Sequence, residues 1–201
     1  LFAGHAVETQ CDIQSIYGAP GKWYLASVDG VHGPFDWVLS SAPLTQTQAL
    51  YADFNFDLTA RYQAGFTLLC QMTFSPSWDR AVCQDAVVAE LILSGRRPGR
   101  HHPNTLVVHA QDQWASEQIA SEPAMVEQTL RRAAETLLNT DFDSAKLHRW
   151  RDASVIEPAA STHWLQPTLQ LGACGDWGGT QGAESAFISA RALAAAMANK
   201  G

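Results

Sequence analysis

Charge is scarce in this chain. Only 16% of its 201 residues are Asp, Glu, Lys or Arg, and 13 basic against 20 acidic residues leave a net charge of −7. That sign argues against a nucleic-acid binder, which grips phosphates through a basic surface. Long apolar runs are also missing: nothing approaches the roughly 18 consecutive apolar residues that a membrane-spanning helix needs. There are only four cysteines, Cys11, Cys70, Cys83 and Cys174. They form no CxxC pair and have no companion ligands at zinc-site intervals, so buried free thiols in a reducing compartment are expected, with no metal. No GxSxG elbow appears, which leaves a Ser-His-Asp triad unsupported. The opening "LFAGHAVETQ" has no initiator methionine and no signal-peptide pattern. The cytoplasm is the expected location, and a processed product, a fragment and a chain with missing preceding residues all stay open.

What is present is apolar: 46% of the residues, enough for a folded core. "CDIQSIY" (11–17) and "WYLASV" (23–28) have strand composition and flank the turn "GAPGK". A further turn, "DGVHGP" (29–34), leads to "FDWVLSSAP" (35–43), expected to be a buried central strand, and "TQTQALYADF" (45–54) predicts a short helix. "FTLLCQMTF" (66–74), "AVVAELILS" (86–94) and "TLVVHA" (105–110) predict core strands of a mixed or antiparallel sheet. The longest helix follows, with Ser121 as its cap and Glu122 and Pro123 in its first turn. Its apolar face is Val126, Leu130, Ala133, Ala134, Leu137 and Leu138, with Glu127 and Arg131 paired outside. "KLHRWRDA" (146–153) and "LQLGAC" (169–174) are further strands, with a loop between them, and 183–198 is the last helix. The class is α+β, α/β-like, a sheet covered by helices.

The stretch "LGACGDWGGTQGAESAFISARALAAAM" (171–197) carries the chemistry. A strand ends in Gly175-Asp176, passes Gly178 and Gly179, and becomes a helix. A helix start offers unpaired N–H groups and the positive end of its dipole, which favour an anion. Asp176, just past the strand, is placed to accept hydrogen bonds from sugar-type hydroxyls. Such a turn suits a phosphate-bearing, polyhydroxylated cofactor. The same residues also suit a plain capped bend.

"HAQDQWA" (109–115), "LHRWRDA" (147–153) and "CGDWGGTQGAESAFISARALA" (174–194), in that order, resemble the renalase-like branch of FAD-dependent amine oxidases. "GPFDWVLSSAPLTQTQAL" (33–50) is similar to the segment that leads back into the dinucleotide fold of those proteins. The resemblance places the sequence as the carboxyl-terminal portion of such an enzyme. It implies a β-meander and return strand over 1–54, a substrate-type domain over 55–168, and the terminal strand and helix of a Rossmann-like FAD-binding fold over 169–201. It further implies FAD contacts from Gly175, Asp176, Trp177 and the backbone of Glu184, Ser185 and Ala186, with Arg149 and Trp150 near the isoalloxazine ring. The chemistry implied is oxidation of an amine or a reduced nicotinamide-type substrate by hydride transfer to flavin, and no residue is singled out as acid or base.

Three features depart from the family. Ser185 and Ala190 stand where it has glycine, Gly182 stands where it has arginine, and no GxGxxG unit occurs to seat the adenosine half of FAD. The second reading is therefore a non-catalytic scaffold or binding module that no longer binds FAD. The expected partners are a small-molecule substrate, an amino-terminal FAD-binding half or a separate chain supplying it, and a second copy in a homodimer.

Other residues read more plainly. "GRRPGRHH" (95–102) is a solvated loop, and the adjacent His101 and His102 lack acid or thiol companions. His109 and His148 suit structural roles on strands. Among the seven tryptophans, Trp78, Trp114 and Trp164 are candidates to wall a substrate cavity, although core packing is the commoner use.

Overall fold

A computed structural model describes residues 4–73, 76–100 and 104–199. Among them the chain is mixed α+β, with three sheets and four α-helices. It divides into two units: residues 1–61 with 155–201, and residues 62–154.

In the inserted unit, strand alternation builds the core. β5 (Arg61–Gln71), β6 (Arg80–Val82), β7 (Val88–Leu93), β8 (Thr105–Ala110) and β9 (Ser144–Glu157) form a sheet in the order β6-β7-β8-β5-β9. β5 sends Phe66, Leu68 and Cys70 to one face, and β8 sends Leu106, Val108 and Ala110 to the same core. That face is covered by α3 (Pro123–Leu138) through Val126, Leu130 and Ala134, four residues apart. Leu137 is excluded from this stripe and is 45% exposed. A further helix, α2 (Asp112–Gln118), buries Ala115; its two turns are too short to show a helical period in the sequence.

Two local expectations for α3 are corrected. Its cap position is Glu122, with no side-chain capping bond, because the Ser121 hydroxyl donates to Gln118 Oε1 at 2.8 Å instead. Arg131 pairs with Glu135, at 2.8 Å, rather than with Glu127. The reason lies past the helix end: Phe142 donates its amide to Glu135 Oε1 at 2.9 Å, and its carbonyl accepts from Arg131. One pair of charged side chains thereby satisfies the returning backbone as well as each other.

The other unit begins with an antiparallel meander of β1 (Ile13–Ala19), β2 (Lys22–Ser27) and β3 (Val31–Phe35). β3 occupies most of the segment expected to be a turn. After it, β4 (Val38–Ser40), α1 (Leu44–Leu50) and a short 3-10 turn (Ala52–Phe54) follow. A second sheet has the order β10-β11-β4, from β10 (His163–Gln166) and β11 (Leu171–Cys174). β11 is its middle strand, parallel to β4 and antiparallel to β10. β4 is thus shorter than expected and lies at the sheet edge rather than the centre. The strand β10 falls where a loop was expected, and α4 (Ala183–Ala198) matches its expected span.

Aromatic side chains fill this second core. Tyr51, fully buried, packs against Phe54, Phe56 and Trp164. Its hydroxyl lies 2.9 Å from the Gly172 carbonyl and 3.1 Å from that of Val38, bridging β11 and β4. Trp23 of β2 donates its indole N–H to the Leu169 carbonyl at 2.8 Å, tying the meander to the residues before β11.

All four cysteines are free, but only Cys70 is buried; Cys11, Cys83 and Cys174 are half-buried. No helix among the described residues is long and apolar enough to cross a membrane.

Candidate functional site

The turn between β11 and α4 is built by close packing. Gly175 is extended (φ 172°, ψ −178°) and Asp176–Gly178 make one 3-10 turn. Ser189, buried on α4, reaches back to this turn: its Oγ accepts from the Gly175 amide at 2.9 Å and donates to the Thr162 carbonyl. The Ala159 amide donates to the Trp177 carbonyl at 2.9 Å, and Trp177 is fully buried.

The glycines serve this packing. A Cβ at Gly175 would meet Trp177 Nε1 at 2.3 Å, one at Gly178 would meet the Thr162 carbonyl oxygen at 2.6 Å, and one at Gly179 would meet Ser185 Oγ at 2.6 Å. Space near these three positions is therefore taken by the protein's own atoms. Gly182 differs: its φ is +56° and no heavy atom lies within 4 Å of a built Cβ, so the backbone there is open.

Several features decide what group fits beside this turn. Gly182 caps α4 without any side-chain capping bond, although the Glu184 carboxylate lies in the first turn. Ser185 is buried and its Oγ accepts from the Gln181 amide at 2.8 Å, fixing the approach to the helix. Asp176 is half-buried and accepts hydrogen bonds, which suits a hydroxyl donor, whereas the exposed Glu184 carboxylate in the first helical turn opposes an anion. Among the described residues, Trp177 Nε1 is the buried side-chain polar atom with no hydrogen-bond partner. A buried donor left unpaired costs about 1–3 kcal/mol, so an acceptor there would be stabilising. These residues fit the phosphate-bearing part of a dinucleotide cofactor.

Arg149 and Trp150 belong to the inserted unit. Adjacent residues of β9 point to opposite faces. Arg149 lies over the Phe66 ring, 5.7 Å from its centroid, and donates to the Ser121 carbonyl at 2.6 Å. Trp150 lies half in solvent, donates its indole N–H to Thr67 Oγ1 at 3.2 Å, and stacks with His148. Thr67 Oγ1 is also 3.2 Å from His109 Nδ1, so His109, Thr67 and Trp150 form one polar line across β8, β5 and β9. Sequence spacing does not reveal this line, because it depends on the strand order.

Trp164 is buried with Tyr51 and Phe56, Trp114 packs edge-on against Phe66 at 6.0 Å, and Trp78 lines the same apolar cluster. All three pack against apolar neighbours, and Trp114 also lines a cleft with Asp85, Gln111, Gln113 and Glu117. His101 and His102 lie outside the described residues.

No family model and no curated protein sequence matches the chain. Solved structures do. A glycine oxidase from Bacillus cereus ATCC 14579 is similar with a TM-score of 0.58 at 12% identity, over 98% of this chain and 52% of that one. A glycine oxidase from Geobacillus kaustophilus gives 0.57 at 10% identity, over 98% and 50%. A protoporphyrinogen oxidase-like protein from Exiguobacterium sp. 255-15 gives 0.57 at 12% identity, over 90% and 47%. The chain spans about half the length of these solved chains. At such identities the likeness concerns the fold alone: the chain has the mixed α+β fold of about half of each of these oxidases.

Proposed function

We propose that this chain is the substrate-unit and terminal-helix portion of an FAD-dependent oxidoreductase of the renalase-like amine oxidase type. The observation that carries the reading is the β11–turn–α4 arrangement, in which a half-buried acid, an orphaned indole N–H and an uncapped helix start come together. FAD, when bound, supplies a hydride acceptor, and the substrate is an amine or a reduced nicotinamide. Asp176 holds ribityl or ribose hydroxyls, and Gly175 and Trp177 keep it in place. The first turn of α4, with Glu184, Ser185 and Ala186, meets the negative charge of the cofactor through its helix dipole, since the Glu184 and Ala186 amides already donate to the Gln181 and Gly182 carbonyls. Arg149 and Trp150 are the residues of the inserted unit assigned to the isoalloxazine end of the cofactor; Trp150 offers an exposed ring and Arg149 braces Phe66.

The adenosine half of FAD requires a partner segment bearing GxGxxG, from a longer form of this chain or from another chain. The surface supports that reading. α4 is apolar nearly all round, yet Phe187 is 63% and Ile188 49% exposed, and Leu39 on the edge strand β4 is 49% exposed. A parallel β4–β11 pair is normally covered on both faces. A homodimer is the other means of covering it, and the cytoplasm suits free thiols.

A second reading, a scaffold that no longer binds FAD, is favoured by the side chain at Ser185, whose Oγ lies where a Cβ on Gly179 would come. The two separate on one measurement. The chain is purified with added FAD and freed of excess cofactor by gel filtration. Flavin absorbance that co-elutes with it, and is lost in Asp176→Ala, supports the first reading. A product that stays colourless when the segment bearing GxGxxG is supplied supports the second.

A further inference from the structure

The meander of the first unit contains a cluster that neither the flavin reading nor the cysteine spacing accounts for. Cys11 lies two residues before β1, and His32 lies on β3, paired across the ladder with Leu25 of β2. Gln10, with a φ of 61°, turns the preceding chain so that Glu8 also meets His32. Three residues dispersed over 25 positions thus converge, with their ligating atoms within 4.8 Å of one another.

The geometry has a direction. Glu8 Oε2 lies 3.2 Å from His32 Nδ1, and Cys11 Sγ lies 3.4 Å from Nε2. A carboxylate only accepts, so it holds the imidazole proton on Nδ1 and leaves the Nε2 lone pair facing the sulfur. Ser27 Oγ is also 3.2 Å from Nε2, but its single proton is directed to the Gly30 carbonyl at 3.2 Å. With that proton on Gly30, Ser27 makes no hydrogen bond to the unprotonated Nε2 and leaves its lone pair to the Cys11 thiol. The imidazole bridges its two partners through opposite nitrogens, an arrangement suited to proton relay; a shared metal ion would need the acid and the thiol on one side of the ring. His32 and Cys11 are half-buried and Glu8 is exposed, so the sulfur remains open to a small reagent.

We propose that Cys11, His32 and Glu8 form a nucleophilic thiol relay, and that Cys11 is the chain's site of mixed-disulfide formation with low-molecular-weight disulfides. His32 Nε2 takes the thiol proton, and the Cys11 sulfur attacks one sulfur of the incoming disulfide. The new S–S bond forms as the old one breaks; the leaving half departs as a thiolate and receives the proton from His32. One thiol and one disulfide give one mixed disulfide and one thiol, so no further oxidant is required. The other cysteines provide the contrast. Burial pushes the thiols of Cys70, Cys83 and Cys174 up, away from the reactive form, with nearby Asp85 and Glu90 adding to the effect at Cys83.

The test is the rate of exchange of the native chain with glutathione disulfide near neutral pH, followed by intact mass and peptide mapping. The expected result is one glutathionyl group, on Cys11, added about tenfold or more faster than to glutathione itself, and absent in Cys11→Ser. His32→Gln lowers that rate about tenfold, and the deficit closes at strongly alkaline pH, where a thiol ionises unaided. Should His32→Gln fail to fold, Glu8→Gln, altered only at an exposed carboxylate, carries the same comparison with a smaller loss. Cys11 reacting no faster than glutathione, or an unchanged rate in both variants, overturns the proposal. So does stoichiometric, chelator-reversible protection of Cys11 by zinc, which would make the cluster a metal centre.

Discussion

The hydroxyl of Ser189 lies 2.9 Å from the amide of Gly175, linking the middle of the last helix to the residue at which the last strand ends. The same oxygen donates to Thr162, so one small side chain satisfies two backbone groups from different segments. Asp176 follows directly, and its position depends on that tether. Ser189→Ala strands a buried N–H and a buried carbonyl, which costs about 1–3 kcal/mol. Urea unfolding should show the loss. If the flavin reading holds, FAD retention should weaken in the same variant even though residue 189 is fully buried.

Gly175 is fixed by a neighbour rather than by its own backbone angles. Its φ of 172° suits any residue, but an added Cβ would approach Trp177 Nε1 to 2.3 Å. Gly175→Ala must push a fully buried indole aside, at a cost of about 1–3 kcal/mol. The check is tryptophan emission, which should shift red in Gly175→Ala and should not do so when the same change is made in a Trp177→Phe background.

Alkaline pH should destabilise the inserted unit through Cys70. Burial pushes this thiol from 9.0 up to about 12, because the folded state holds it neutral. The unfolded chain releases the proton above its own, lower pKa, so stability is full below about pH 9 and falls as pH rises toward 12. The slope approaches about 1.4 kcal/mol per pH unit. Burial also raises the Tyr51 phenol in the other unit, which adds loss of the same sign at higher pH. Unfolding free energies from pH 8 to 11 should show the decline, and Cys70→Val should flatten its first part.

At acid pH, Glu135 acts in the opposite sense. Partial burial disfavours its charge, but the Phe142 amide and the Arg131 guanidinium more than offset that and hold its carboxyl below the usual range. A depressed carboxylate contributes stability that is complete above its unfolded pKa and is lost as pH falls through the folded value. Glu135→Gln removes the ion pair and should cost about 1–2 kcal/mol at neutral pH. It should also reduce the acid limb of the stability curve, measured by thermal melts from pH 6 to 3.

How much of this the sequence disclosed depended on the range of the cause. The last strand and helix were legible because each signal is local: an apolar tetrapeptide, glycines, then a long alanine-rich run. Val126, Leu130 and Ala134 were legible for the same reason. β10 was not, since its four residues lie between prolines at 158 and 167, and pairing with β11 makes it a strand. β3 contains Gly33 and Pro34, which signal a turn, yet its ladder with β2 overrides them. At the candidate site, the acid and helix start were readable from order alone. The packing use of Gly175, Gly178 and Gly179 was not, because Thr162 and Trp177 approach them only after folding. The Glu8–His32–Cys11 contact is equally a product of tertiary structure, and no spacing rule would have found it.

The strands β5 and β9 are neighbours in one sheet, and Arg61 and Glu157 pair at their base. The polypeptide leaves the first unit after residue 61 and re-enters it at residue 155. Exit and return are therefore side by side, so the host closes over a gap that a short turn could span. Evolution or an engineer can therefore exchange the ninety-odd residues between them as a cassette while β11, the turn after it and α4 stay untouched.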